Sequence, residues 1–246
     1  QRLEQSLGEI RGSKYAGAVQ SKILAYGKSD SSIYSWAPYQ LVVDSPDKGI
    51  KSKAREADSI TTPLVAALQS AESELTIISA YFVPLKSGVE FLTELEQRGV
   101  EVTVITNSLA ANNQFTVHGG YAPTRKPLLK AGVEIYEVRA DADVEGSQFI
   151  AASSAKATLH TKAFNVDNER IFIGSSNFDP RSANINTELG VVIQDPAMAR
   201  AFSEQYRKLL PTQTYQVFLN DKGKLRWRTQ FNGEEVVYDK EPDTSW

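Results

Sequence analysis

The 246-residue chain has no cysteine, only two histidines and a single methionine. Without cysteine, disulfide frameworks, thiolate catalysis and cysteine-bound zinc or iron–sulfur are excluded, while the redox compartment stays undetermined. The two histidines, His118 and His160, are too far apart in sequence to match the spacing of known metal-ligand sets. No stretch approaches the ~18 consecutive apolar residues of a membrane span, and the opening QRLEQSLGEIRGSK has no signal-peptide apolar region. Excess positive charge is missing as well. With 27 basic and 30 acidic side chains the net charge is −3, so there is no global attraction to nucleic acid and any basic site is local. What is present is 41% hydrophobic residues, enough for a packed core and incompatible with intrinsic disorder. The chain opens at Gln1 and stops in the polar run EPDTSW, so it reads as a piece of something longer.

Residues 1–38 have apolar positions at rough helical spacing, weakened by glycines, and read as a helical lead-in or linker closed by the Ser-rich SDSSIYSWAP. From 39 to 212 the pattern alternates. YQLVVD, LTIISAYFV (75–83), VEVTVIT (100–106) and VEIYEV (133–138) predict strands. TPLVAALQSAE (62–72), SGVEFLTELEQRG (87–99) and YAPTRKPLLKAG (121–132) predict helices, the last two closed by glycine. A polar stretch at 140–156 precedes three strand candidates, ATLHTKAFNVD, RIFIGSS and LGVVIQ, whose short connections predict antiparallel pairing. A helix follows Pro196. Residues 213–246 alternate apolar and polar around Asp221-Lys222-Gly223 and Asn232-Gly233, which predicts an appended three-stranded meander with a tail.

The segment 159–193 carries the chemistry. On a strand His160 and Lys162 share a face, and a buried face rarely holds an imidazole beside an ammonium, so this face is expected to meet solvent, an anion or a cavity. His160-x-Lys162-x4-Asp167 matches the HxKxxxxD signature, and Gly174, Ser175, Asn177 and Glu188 follow at matching offsets, Asn177 standing 17 positions after His160 and Glu188 28. On these residues, with SAYFVP (79–84) and GSSNFDPRSANINTE, the chain resembles the phospholipase D superfamily, and in particular the second half of a bacterial cardiolipin-synthase-like phospholipase D.

The resemblance implies an α/β/α sandwich with a mixed sheet flanked by helices. It implies an enzyme of phospholipid metabolism, a phosphatidyltransferase or phosphodiesterase, that needs no metal and no cofactor. One histidine attacks a phosphodiester phosphorus to give a phosphohistidine, and a second, from the other motif copy, protonates the leaving alcohol. As a second-half histidine, His160 is assigned the acid role; nucleophile is the alternative. Lys162 would face the non-bridging oxygens, Asn177 would donate to them, and Glu188 would accept from a histidine ring N–H. Asp167, Gly174 and Ser175 belong to the signature and are read as structural. His118, Tyr121 and Arg125, in a loop and turn before a helix, are candidate substrate contacts.

Only one HxK motif is present, since His118 is followed by Gly119-Gly120. Either an N-terminal half supplies the other, or two identical chains pair, as in single-motif nucleases of the superfamily. A third reading is a phosphate- or membrane-binding half without turnover. The expected partners are a phospholipid, the other half or copy, and an anionic membrane surface, with nucleic acid disfavoured by the charge. The expected setting is peripheral, on a bacterial cytoplasmic membrane. Arg207, Lys208, Lys222, Lys224, Arg226 and Arg228, with Trp227, suggest contact with anionic headgroups.

Overall fold

A ten-stranded mixed sheet organises the chain. The structure, a computed structural model, describes residues 35–49, 59–142, 150–153 and 156–244. The lead-in expected over 1–38 lies outside these except for its last few residues. The strands are β1 (Tyr39–Val43), β2 (Glu74–Ser79), β3 (Glu101–Asn107), β4 (Glu134–Val138), β5 (Ile150–Ser153), β6 (Lys156–Leu159), β7 (Lys162–Val166), β8 (Arg170–Gly174), β9 (Leu189–Gln194), β10 (Thr214–Leu219), β11 (Leu225–Phe231) and β12 (Glu234–Tyr238). The helices are α1 (Thr61–Gln69), α2 (Leu85–Gln97), α3 (Phe115–Tyr121), α4 (Arg125–Ala131), α5 (Pro180–Asn184) and α6 (Pro196–Gln213).

The sheet order is β1-β9-β8-β7-β2-β3-β4-β10-β11-β12, and β5-β6 form a separate two-stranded ribbon. Strands β2, β3 and β4 run parallel, as helix crossovers require, while β7, β8, β9 and β1 pair antiparallel, matching the short connections between 162 and 194. Alternation splits the core between two faces. Ile77, Val104 and Ile135 pack with Leu64, Leu92, Leu95 and Leu128 of α1, α2 and α4. Their neighbours Ile78 and Ile105 face Tyr206, Phe202 and Leu210 of α6. Helices thus cover both faces of a mixed sheet, the α/β/α sandwich.

Three local departures from the expected pattern have physical causes. The strand predicted over 75–83 leaves the sheet after Ser79, whose Oγ donates to Tyr81 O at 2.7 Å, and only Phe82 bridges again, to Phe178. The helix predicted over 121–132 is broken, because Pro123 has no N–H to donate: α3 ends at Tyr121, a 3₁₀ turn spans Ala122–Thr124, and α4 begins at Arg125. The meander forms at β10–β12, but β10 pairs antiparallel with β4, so it extends the main sheet by three strands.

Candidate functional site

The site lies where the parallel part of the sheet meets the antiparallel part. Lys162 opens β7 directly opposite Ser79, the last residue of β2. Its side chain is 8% exposed, its Nζ donates to the His160 carbonyl at 2.5 Å, and it lies 3.4 Å from His160 Nδ1. His160 does not sit within a strand: it occupies the break between β6 and β7 and is exposed. The Lys162 charge, and then burial, hold its imidazole below the ordinary 6.5. Burial also lowers the Lys162 ammonium, against the opposing pull of Glu188 and then Asp179, so both carboxylates act on this amine.

Asn107, at the end of β3, fixes the backbone that carries His160, and nothing in the sequence pattern singles it out. Its Oδ1 accepts from Leu159 N–H at 2.8 Å, and its Nδ2 donates to Leu159 O and Ala80 O, each at 3.1 Å. It is 2% exposed, so every polar atom of the side chain is committed where water is excluded.

The loop after β8 supplies the remaining groups. Ser79 Oγ accepts from Phe178 N–H at 2.9 Å, and Asn177 Oδ1 accepts from Tyr81 N–H at 3.1 Å, which ties Asn177 to the segment just past the end of β2. Asp179 caps α5, accepting from Arg181 N–H at 2.7 Å and Ser182 N–H at 3.1 Å. Glu188 is buried, with Ser175 Oγ donating to its Oε2 and Asn186 Nδ2 to its Oε1 at 3.0 Å. Within the chain the Glu188 carboxylate is thus held by a serine and an asparagine, and His160 does not donate to it. Glu188 N–H donates in turn to Asp44 Oδ2 at 2.8 Å, and Asp44 also accepts from buried Lys48 and from Ile60 N–H. Gly174 has a steric reason to be glycine, since a Cβ there would fall 2.5 Å from Leu189 O and 2.8 Å from Gly190 Cα.

The other signature residue stands apart from this group. Asp167 follows the far end of β7 in the left-handed region, φ +56°. Its carboxylate accepts from the backbone N–H groups of Glu72, Ser73 and Glu74 and from Ser73 Oγ, at 2.8 to 3.1 Å. It fastens the β7–β8 turn to the start of β2. Burial works against its charge, but these donors outweigh burial and hold its pKa below the ordinary value.

His118, Tyr121 and Arg125 form a different, buried cluster around Glu137. Glu137 is fully buried and accepts from Tyr121 OH at 2.8 Å, Arg125 Nη1 at 3.1 Å and Trp227 Nε1 at 2.9 Å. The Arg125 guanidinium lies 5.3 Å from the ring centres of both Tyr121 and Trp227. It also reaches Glu241 in the C-terminal tail at 3.1 Å, and His118 Nε2 lies 2.7 Å from the same oxygen. Burial opposes the Arg125 charge, but Glu137, Tyr121 and Glu241 together raise its pKa. The expectation that Tyr121 and Arg125 meet substrate is therefore corrected: they are 2% and 4% exposed and their polar groups are engaged within the fold. The expected headgroup surface changes likewise. Trp227 points inward, Arg226 pairs with Asp239 at 2.6 Å, and Arg207 with Glu74 at 2.8 Å. Among the described residues no three His, Asp or Glu side chains group as a metal-ligand set, and no helix is long and apolar enough to cross a membrane.

Comparison with known proteins agrees with this geometry. The family described as "Cardiolipin synthase, PLD-like domain" matches residues 64–210. Cardiolipin synthase C of Escherichia coli K12 is 37% identical over 214 residues, 86% of this chain but only 45% of that protein. The fold resembles Nuc of Salmonella typhimurium, a phospholipase D family member, with a TM-score of 0.54 at 18% identity, covering 74% of this chain and 99% of that one. It also resembles the phosphatidylserine synthase of Haemophilus influenzae Rd KW20, with a TM-score of 0.52 at 16% identity, covering 72% and 39%. The HxK pair at the parallel–antiparallel junction, the loop that follows it and the family match together place this chain in the phospholipase D superfamily, with a cardiolipin-synthase-type domain.

Proposed function

We propose that this chain supplies one of the two HxK halves of an enzyme that transfers or hydrolyses phosphatidyl groups, cardiolipin synthesis being the favoured reaction. The observation that carries the reading is the contact between Lys162 and His160 beside Asn177 and Glu188. The pair offers an imidazole that is neutral near pH 7 next to a fixed cation, an arrangement suited to a phosphodiester anion. In the proposed scheme one histidine attacks phosphorus and the P–O bond to the leaving alcohol breaks. The alcohol oxygen takes a proton from the histidine of the other half, and a second alcohol or water then releases the phosphatidyl group from the phosphohistidine. His160 takes the acid role. Because Lys162 disfavours the imidazolium, that role needs the substrate anion to raise the His160 pKa on binding; without that rise the neutral ring is set up for attack. Lys162 neutralises the non-bridging oxygens and Asn177 donates to them from its amide nitrogen.

Two observations support a partner half. The chain spans less than half the length of the cardiolipin synthase it matches over most of its residues. One face of β1, β9 and β8 also leaves Tyr39, Leu41, Val43, Leu189 and Ile173 exposed, an apolar surface next to Glu188 and Ser175. The alternative is a homodimeric phosphodiesterase, and the match to nearly all of the Nuc chain favours it as the second reading.

The test presents phosphatidylglycerol vesicles to the full-length protein and to His160→Ala, with cardiolipin, phosphatidic acid and glycerol followed by mass spectrometry. Turnover abolished by the substitution is expected. No turnover by the unmodified protein overturns the phosphatidyl reading, and light scattering with a soluble phosphodiester then decides the homodimer. In that reading association with the membrane is peripheral.

A further inference from the structure

Between α1, the start of α2 and the segment 177–184 lies an open groove of about 410 Å³. Its walls include Val65 of α1, Leu85 and Phe91 of α2, and Phe178. Val65 and Leu85, both in its lining, are 39% and 51% exposed, so the concave surface presents apolar side chains to solvent. Two backbone features give the groove its shape. Leu85 has φ +54°, a region a leucine rarely adopts, and a Cβ added at Gly88 would fall 2.7 Å from Pro84 Cβ and 3.1 Å from the Phe178 ring.

The groove shares residues with the site. Its lining includes Asn177 and Asp179. Asn177 is tied to Tyr81, two residues past the Ser79 that faces Lys162, and Asp179 is one of the two carboxylates whose charge acts on the Lys162 amine. A phosphate held at Asn177 therefore sits beside the apolar lining of the groove.

We propose that this groove takes one fatty acyl chain of the phospholipid whose phosphate reacts at His160. The groove is then what selects a glycerophospholipid over a small soluble phosphodiester. The inference rests on the phosphatidyl reading above and adds the element that recognises the lipid.

The test uses the full-length protein in two independent ways. Phosphatidylglycerol with a photoreactive diazirine in one acyl chain is presented in vesicles and irradiated, and the labelled peptides are mapped by mass spectrometry. Label on 61–69 and 85–97 is expected; label confined to other segments overturns the proposal. Separately, Val65→Trp and Ser87→Trp fill the groove from opposite walls. The measurement is the ratio of kcat/KM for dioleoyl phosphatidylglycerol to that for bis(p-nitrophenyl) phosphate. Excluding one methylene is worth about fourfold, so a fall of about tenfold or more is expected, and an unchanged ratio in both variants overturns the proposal. If neither variant folds, the labelling decides alone. Groove labelling without turnover would sink the phosphatidyl reading, and with it the link to reaction at His160, leaving lipid binding alone, whereas turnover with label elsewhere would sink the acyl site alone.

Discussion

Arg125→Met is the sharpest test of the buried cluster, because it separates a structural arginine from a substrate-binding one. The substitution keeps most of the aliphatic volume between Tyr121 and Trp227 and removes the guanidinium that lies 3.1 Å from the fully buried Glu137. Breaking a buried ion pair by removing one partner costs about 3–5 kcal/mol, since the other charge is left uncompensated. In a domain of this size that is a fall in Tm of about 6–20 °C. The deficit also depends on pH. Burial already raises the Glu137 carboxyl above its ordinary value, and loss of Arg125 raises it further. A carboxyl with a raised folded-state pKa favours the fold when protonated, at low pH, and weakens it increasingly as pH rises through that pKa. The variant's deficit is therefore smallest in acid and largest near neutrality. Urea unfolding at pH 5 and pH 7, with turnover measured on the same samples, reads both quantities. Adding Glu137→Gln, which keeps an acceptor for Tyr121 and Trp227, should recover part of the loss. A deficit under about 1 kcal/mol that is flat with pH, together with a raised KM, would refute this reasoning and return Arg125 to the substrate.

Perturbations at three other residues address the site and the turn that frames it. Lys162→Met should move the His160 titration midpoint, followed by NMR, upward from below 6.5 toward the ordinary value, because the charge that disfavours the imidazolium is gone; an unmoved midpoint contradicts the contact. Asp167→Asn should lower stability at neutral pH and flatten the acid limb. The depressed Asp167 pKa gives stabilisation that is present above the unfolded value of ~3.9 and lost as pH falls through the folded value. A variant with the parent's stability profile between pH 2 and 7 would count against it. Asn107→Ala removes three hydrogen bonds, costing about 2–4 kcal/mol. The isosteric Asn107→Asp should lower kcat by about 100-fold with KM little changed, as displacement of a reacting group does. An unaltered kcat would make Asn107 a purely structural residue.

The sequence was most informative where pattern and chemistry are local. Alternating helix and strand periods located the parallel strands, and the short links between 162 and 194 indicated their antiparallel neighbours. The HxK spacing located the imidazole–ammonium pair, although His160 falls in a break, because β6 pairs with β5 and only β7 enters the main sheet. What escaped was long-range. Arg125 and Trp227 look like surface cations and an interfacial ring until Glu137 is seen at the centre of both, 12 and 90 positions away. A signal was available, since Glu137 is in phase with buried Ile135 on β4 and an inward carboxylate requires donors. Asn107 gave no comparable sign: an asparagine ending a strand is an ordinary turn residue, and its partner Leu159 lies 52 positions on.

The pairing of β1 with β9 has a consequence for how the protein is made. Asp44, just past β1, waits for a hydrogen-bond partner 144 residues further along the chain. At about 5–20 residues per second a ribosome needs about 7–29 s to deliver it. Through that interval Tyr39, Leu41 and Val43 form a strand with no neighbour in the sheet, while β2, β3 and β4 can already pair. The nascent chain thus passes through a period in which β1 is a ready template for another chain, and the Glu188–Asp44 contact forms only when that strand is finally claimed.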